Sequence, residues 1–532
     1  MNTPSTLQSA WQRTTTRRVL LWLRRVLCWL FSWRIMRRCL LTVGSVVTLV
    51  VLFYAEENWR GRRAWDQHRR ALEAQGEKLD IPALAPPPVP DEQNLALAPM
   101  LKAIYPYIHD PNARHDTNGA ARLKGIDEHK RAPGNEAELV LGSLEQDTFA
   151  DLEACAKFYL GNTNYPQPAV GASAAQTVLT ALSKFDADFN ELKAAAAARP
   201  LGRFPIHYTE DMPWAMLLPH LAPVKHLGAV LGLRATARLE LGQTEEALGD
   251  LTLALRLADS IRGEPILISH LVRIAMLAND LQVIREGLIR HAWSEGQLRA
   301  LEQQLAAIDL LAEHNHALRG ERAFSVSGID WARRQGWKFD PGSLLDSGQE
   351  PSRVQLALLR LMPGGWYHRN MVTISQLHQD YTLTLVNERT RRVSPPTAAA
   401  GKHPFDALSG GPSSAFVRTL LSAAPTKATI KSARMQTWLD AVRVACALER
   451  YRLANGQLPD SLAALAPRFL ETLPADLIDG QPLRYRKESA GGFILYSVGW
   501  NQKDDGGTIA WTGDKQQGLD LNEGDWVCRV PR

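Results

Sequence analysis

The chain reads as a mainly α-helical, partly repeat-like, membrane-anchored body that ends in a small α+β domain. Three observations predict this. Residues 39–55 (CLLTVGSVVTLVVLFYA) form an uncharged apolar run. Apolar residues then recur at spacings of three and four from about Leu95 to Thr390, the helical period. After Thr429 one long helical pattern gives way to short alternating segments. A length of 532 residues allows several buried cores, and five cysteines are too few for a disulfide scaffold.

The first element, 1–38, is a basic segment. Of the 61 Lys and Arg, eight arginines lie in residues 1–55, where there is no acid. The remainder therefore carries 53 basic and 56 acidic residues, a near-neutral body that argues against nucleic acid as a partner. Arg17/Arg24 and Arg18/Arg25 repeat every seven residues beside Trp22, Trp29 and Trp33. This predicts an amphipathic helix on the anionic inner leaflet of a membrane. Residues 39–55 follow as a transmembrane helix; 17 residues reach about 25 Å, near the short limit for a bilayer. The positive-inside rule keeps the preceding arginines cytoplasmic. That places the N-terminus in the cytoplasm and the body on the periplasmic, extracytoplasmic side of the inner membrane. No small-x-small cleavage site ends the span, so it is expected to stay as an anchor.

Residues 56–94 predict a charged stalk helix followed by a stiff spacer. The run Ile81-Pro-Ala-Leu-Ala-Pro-Pro-Pro-Val-Pro90 is expected to be non-helical, because proline lacks the amide donor and fixes φ. Residues 95–390 predict a helical domain. Near 228–261, Leu231, Ala235, Gly242, Ala247, Leu251 and Ala254 fall at the offsets of one tetratricopeptide-like helix pair. Residues 391–428 are rich in Pro, Gly and Ser and predict a linker.

Residues 429–532 predict the α+β domain. Met435, Leu439, Val442, Cys446 and Leu453 share a helical face that Asn455-Gly456 terminates. Ser461–Leu470 predicts a shorter helix, and Leu483–Arg486 and Phe493–Val498 predict strands. Along this stretch Ala447-Leu-Glu-Arg-Tyr-Arg-Leu-Ala-Asn-Gly-Gln-Leu-Pro459, Leu473-Pro-Ala-Asp476, Gly480-Gln-Pro-Leu-Arg-Tyr485 and Tyr496-Ser-Val-Gly499 occur in one order. In that order they resemble the C-terminal domain of the major pseudopilins of type II secretion systems. The resemblance implies a borrowed α+β module, and a calcium loop at Gly499–Gly507. Asn501, Asp504, Asp505, Asp520 and Asp525 are the candidate ligands, oxygen donors of the kind Ca²⁺ takes. The apolar span lacks that family's processing site, and about 375 residues separate it from the module.

No His-Glu-x-x-His, Gly-x-Ser-x-Gly, phosphate loop, dinucleotide fingerprint or CxxC occurs. All fourteen histidines precede residue 404. His109-Asp110 with His115-Asp116 forms one polar loop cluster; His314 and His316 point apart on a helix. The expected function is therefore binding or assembly outside the cytoplasm, secretion-related through the module, without catalytic residues. An alternative is an enzyme whose site lies in 95–390, around His207, His220 and His226.

Overall fold

The computed structural model describes residue 22 and residues 33–104, 121–123, 126, 142–144, 146–209, 213–336, 361–396, 424–488, 491–512 and 518–531. Most of the basic segment, the His109/His115 loop, most of the 391–428 stretch and Asp514 lie outside them. The chain is mainly helical, with small antiparallel sheets toward its C-terminus. The chain divides into two compact units, residues 1–68 with 336–369, and residues 69–335 with 370–532.

In the first unit, helix α1 (Trp33–Ala74) begins, and its apolar stretch runs unbroken into the charged stalk. Span and stalk are one helix because no Gly-Pro break separates them. From Leu40 to Phe53 the large apolar side chains are exposed. In the second part of this unit the described residues resume at Leu361 and enter a helix at Gly364.

The second unit is built on long helices: α2 (Leu152–Tyr159), α3 (Ala174–Leu182), α4 (Asp186–Ala198), α5 (Leu221–Glu240), α6 (Thr244–Asp259), α7 (Leu267–Ile289), α8 (Glu295–Ala306), α9 (Leu310–Gln335) and α11 (Ala424–Asn455). The helix between them, α10 (Gly364–Leu377), has residues in both units. Helices α5 and α6 form a hairpin. Gly242 turns it at φ +73°, and Ala235, Ala247 and Ala254 are fully buried where the helices meet. Capping boxes at Ser173/Gln176 and Ser294/Gln297 start α3 and α8 by satisfying amides that have no intrahelical partner.

Helix α11 lies among α7, α8 and α9, and its Met435, Trp438, Leu439, Val442 and Cys446 join the same apolar core as Leu231, Leu251, Leu277 and Leu301. The expected boundary at 428 falls inside this helix. Its C-terminus is where the sequence puts it: Asn455 is the last helical residue and Gly456 leaves at φ +76°. Beyond it, β3 (Arg484–Lys487), β4 (Phe493–Ser497) and β7 (Trp526–Val530) make an antiparallel sheet in the order β3-β4-β7. Leu495 stands opposite Cys528 and Tyr496 opposite Val527. Phe493, Leu495 and Cys528 face the helical core, while Ile494, Tyr496 and Val527 pack toward Ile509. Ile509 belongs to a second hairpin, β5 (Ile509–Thr512) with β6 (Gly518–Gly524). Strand β4 is buried on both faces, which explains its continuous apolar run FILY.

Three local expectations differ from the structure. Ile81–Leu84 forms one helical turn, because Pro82 sits in its first turn where no amide donor is required. Ile81 and Leu84 are buried there, so the run is packed rather than a free spacer. Ser461–Leu470 is a single 3₁₀ turn at Leu462–Leu465, since Pro467 cannot continue a helix. At the end of 95–390 a two-residue ladder pairs β1 (Val386–Asn387) with β2 (Arg392–Val393), which lies in the first residues of the expected linker.

Candidate functional site

Among the described residues, four places bear on function. The first lies where the apolar stretch of α1 ends. The Tyr54 hydroxyl donates to the Leu361 carbonyl. One turn on, Glu57 is 9% exposed; its Oε2 accepts the Trp366 indole N–H at 2.7 Å and pairs with Arg369 at 3.2 Å. Asn58 Oδ1 accepts the Gly365 amide at 2.7 Å, so a side chain from another segment caps the first turn of α10. A Cβ on Gly61 would lie 2.0 Å from the Gly365 carbonyl oxygen, and one on Gly365 1.9 Å from that of Glu57. Only two glycines allow this approach.

The second place is a polar seam through the helical core. His270 on α7 lies 2.9 Å from the Ser432 hydroxyl on α11, which is 3.1 Å from His314 Nδ1 on α9. His314 Nε2 lies 2.9 Å from the Thr429 hydroxyl. Burial pushes the His314 imidazole down to about 3, and burial, with His314 and Arg273 adding to it, holds His270 well below its ordinary range. Both rings are thus neutral hydrogen-bonding groups at neutral pH. Nearby, Arg273 Nε donates to Glu313 at 2.8 Å, and its Nη2 pairs with Asp259 at 2.9 Å. Asp280 is fully buried, and that burial raises its carboxyl well above the usual range despite Arg273. The Leu310 amide, at the start of α9, donates to Gln436 at 2.8 Å. Further along α9, Arg322 donates to Glu77 and to Gln379, each at 2.5 Å.

A serine beside two histidines has the elements of an activated nucleophile. Here Ser432 is fully buried and its hydroxyl lies 2.9 Å from the Ala428 carbonyl, which accepts its proton. The seam holds helices together, and its residues line neither the cleft at His291 and Glu449, nor that at His207, nor that at Arg299 and Arg450. The sequence signal was weak because each partner comes from a helix more than a hundred residues away.

The third place is the acidic loop. Both oxygens of Asp525 hold backbone amides, Oδ1 that of Asp505 at 3.2 Å and Oδ2 that of Gly507 at 2.6 Å. Burial, and then the neighbouring Asp505 and Asp504 charges, outweigh those amides and raise its carboxyl above the usual range. Asp504 accepts the Gly506 amide at 3.0 Å and faces Arg484 at 3.7 Å. Asn501 donates its amide to Asp505 at 2.8 Å and to Glu523 at 3.3 Å. Asp520, in β6, accepts the Asn522 amide at 2.9 Å. The structure therefore brings Asn501, Asp505 and Asp525 together and leaves Asp520 apart from them. Among the described residues no group of three or more His, Cys, Asp or Glu converges as a metal requires. Ca²⁺ takes six to eight oxygens turned to one centre, and of the candidates it is Asn501, Asp505 and Asp525 that hydrogen bonds join here.

The last place is an open cleft of about 320 Å³ lined by Pro82, Ala85, Arg203, Pro205, Ile206, His207, Tyr208 and Thr209. His207 is at its wall, but neither His220 nor His226 lines it, and it has no carboxylate. His220 is fully buried, 2.9 Å from Glu264 and stacked on Phe204 at 4.4 Å between centroids. The three histidines do not share one cavity. His316 lies 3.1 Å from the Gly263 carbonyl, away from His314's partners. Cys155 and Cys446 are buried in the core.

Two helices are long and apolar enough to cross a membrane by length and composition alone, α1 from Met36 and α7. The apolar window of α1 is wholly exposed; that of α7 is 67% buried, and α7 carries Arg273, Asp280, Arg285 and Glu286 into the core. Comparison of the chain with protein-family models, curated proteins and solved structures returns no match.

Proposed function

We propose that the chain is a single-pass membrane protein whose helical body and pseudopilin-like C-terminal residues act outside the cytoplasm in binding or assembly with protein partners. The observation that carries this reading is the uncovered apolar surface of α1. Leu40, Leu41, Leu49, Leu52 and their neighbours are each about half exposed or more. Each buried side chain of this kind is worth roughly 1.5–3 kcal/mol, so leaving a whole helix of them in water is unfavourable by far more than a domain's stability. A bilayer removes that cost. The arginines before the span and Glu56-Glu57 after it supply the orientation.

The polar chemistry of the body supports a binding role, because its buried ion pairs and hydroxyl–imidazole bonds join helix to helix. The pseudopilin-like order of motifs points to assembly partners of the secretion type. The test is a pair of C-terminal reporter fusions, one active only in the cytosol and one only outside it, with extraction of membranes by alkaline carbonate. The reading expects the external reporter to be active and the protein to resist extraction. A cytosolic reporter or a carbonate-soluble chain overturns it.

A further inference from the structure

We infer that the chain touches the membrane a second time: the segment that begins at Leu361 lies in the outer headgroup layer, fastened beside the end of the span. The inference rests on the anchor reading above and adds a lipid-facing surface to it. Its occupant is the bilayer interface itself.

The height of the segment follows from its bonds to α1. Ala55 is the last residue of the apolar run, and a helix rises 1.5 Å per residue. The Tyr54 hydroxyl holds the Leu361 carbonyl, Asn58 holds the Gly365 amide, and Gly61 meets Gly365 backbone to backbone. From Tyr54 to Gly61 is therefore about 10 Å, comparable to the headgroup layer that borders the hydrocarbon core. The segment runs through that layer and not above it.

Its composition suits that depth. Leu361 is 64% exposed, and on α1 Phe53 and Trp59, either side of this joint, are 48% and 61% exposed. Tyr54, Trp59 and Trp366 are side chains that settle at a lipid–water boundary, with an apolar ring and a polar handle. Arg60, Arg62 and Arg63 put basic charge at the same level, Arg60 in an exposed pair with Glu56 at 3.5 Å and Arg63 over the Trp59 ring. Glu57 would be repelled by an anionic surface, and it is the acid that is covered: Trp366 and Arg369 take its oxygens and leave it 9% exposed. In water the exposed Leu361 and Trp59 are unfavourable; next to a lipid surface they become anchors.

The experiment uses the full chain in vesicles of phosphatidylethanolamine and phosphatidylglycerol. In a Cys28→Ser, Cys39→Ser background, single cysteines replace Leu361, Val47 or Val170 and carry an environment-sensitive fluorophore. Quenching by lipids spin-labelled at the headgroup, near the carbonyls or deep in the acyl chain reads depth. The inference expects the label at 361 to be quenched several-fold more by shallow than by deep spin labels, the label at 47 by deep ones, and the label at 170 by neither. Adding Gly365→Leu should release the segment and abolish quenching at 361 while 47 is unchanged. A quenched 47 with an unquenched 361 overturns this inference and leaves the anchor standing. An unquenched 47 overturns both.

Discussion

His314 offers the sharpest test of the polar seam. Its imidazole is fully buried, bonded to Thr429 and close to Ser432, and burial holds it neutral down to about 3 against an ordinary 6.5. The unfolded chain therefore binds a proton on this residue that the folded chain refuses throughout the window between those values. The stabilisation that the neutral ring represents is complete above about pH 6.5 and is lost as the pH falls toward 3. At about pH 4.5 the unfolded form gains roughly two pK units of protonation, or about 3 kcal/mol. The buried acids Asp280, Asp440 and Glu321 have carboxyls raised by burial and contribute with the opposite sign, their stabilisation being lost as the pH rises. The wild-type profile is the sum, so the informative quantity is a difference. His314→Gln keeps a polar side chain that does not titrate. Urea unfolding of the solubilised full chain, followed by helical circular dichroism at about pH 7 and about pH 4.5, should show the variant less stable at neutral pH. The gap should close by about 3 kcal/mol at the acidic value. Parallel profiles for the two proteins would refute the claim that this ring is neutral and sealed from solvent.

Other substitutions test other joints. Arg322→Met leaves Glu77 half-buried without its main partner and should lower stability by about 3–5 kcal/mol in urea unfolding, with Glu77→Gln in the same chain restoring part of it. Asp476 is fully buried and accepts from Ser497, from the Val498 and Ile478 amides and from Arg484, so Asp476→Ala should cost about 3 kcal/mol and loosen β3 and β4 first, seen as faster amide exchange there. Gly365→Leu forces a side chain into the Glu57 carbonyl and should expose the Leu361 segment to protease; an unchanged digestion pattern would show that the close approach is not required. Because both Asp525 oxygens already hold amides, about 1 mM calcium is expected to leave the thermal midpoint of the full chain where chelator leaves it; a rise would mean that the loop rearranges around the ion.

Local chemistry was legible in the sequence and long-range partnership was not. Gly242 and Gly456 mark a turn and a helix end because few other residues take a positive φ without strain. FILY marks β4, since a strand buried on two faces can be apolar throughout. Helix α11 was harder. Met435, Leu439, Val442 and Cys446 are buried as their spacing implies, but Leu453 at the end of that stripe is 46% exposed. Thr429, Ser432, Gln436 and Asp440 are buried too. Four polar residues on a helix read as a solvated face unless their partners are known, and those partners are His270, His314, the Leu310 amide, Arg391 and Arg443. A one-sided pattern thus concealed a helix surrounded on nearly every side. At the acidic loop the residue types suggested ligands, and what they did not reveal is that both Asp525 oxygens accept amides of the loop's own backbone.

The same seam determines what the C-terminal residues can do. A borrowed module joined by a linker would carry its own core and could be exchanged or released without cost to the rest. Here the face of α11 that would be inward in an isolated domain and the face that would be outward are both used, one by Leu495 and Cys528 of the sheet and the other by α7, α8 and α9. Removing the chain from 424 onward would strip His270 and His314 of their hydroxyl partners and the Leu310 amide of its acceptor, and open Leu277 and Leu301 to water. Each orphaned buried polar group costs about 1–3 kcal/mol, so the polar losses alone approach the stability of a domain. A load applied to the C-terminal sheet would therefore reach the helices of the body through α11.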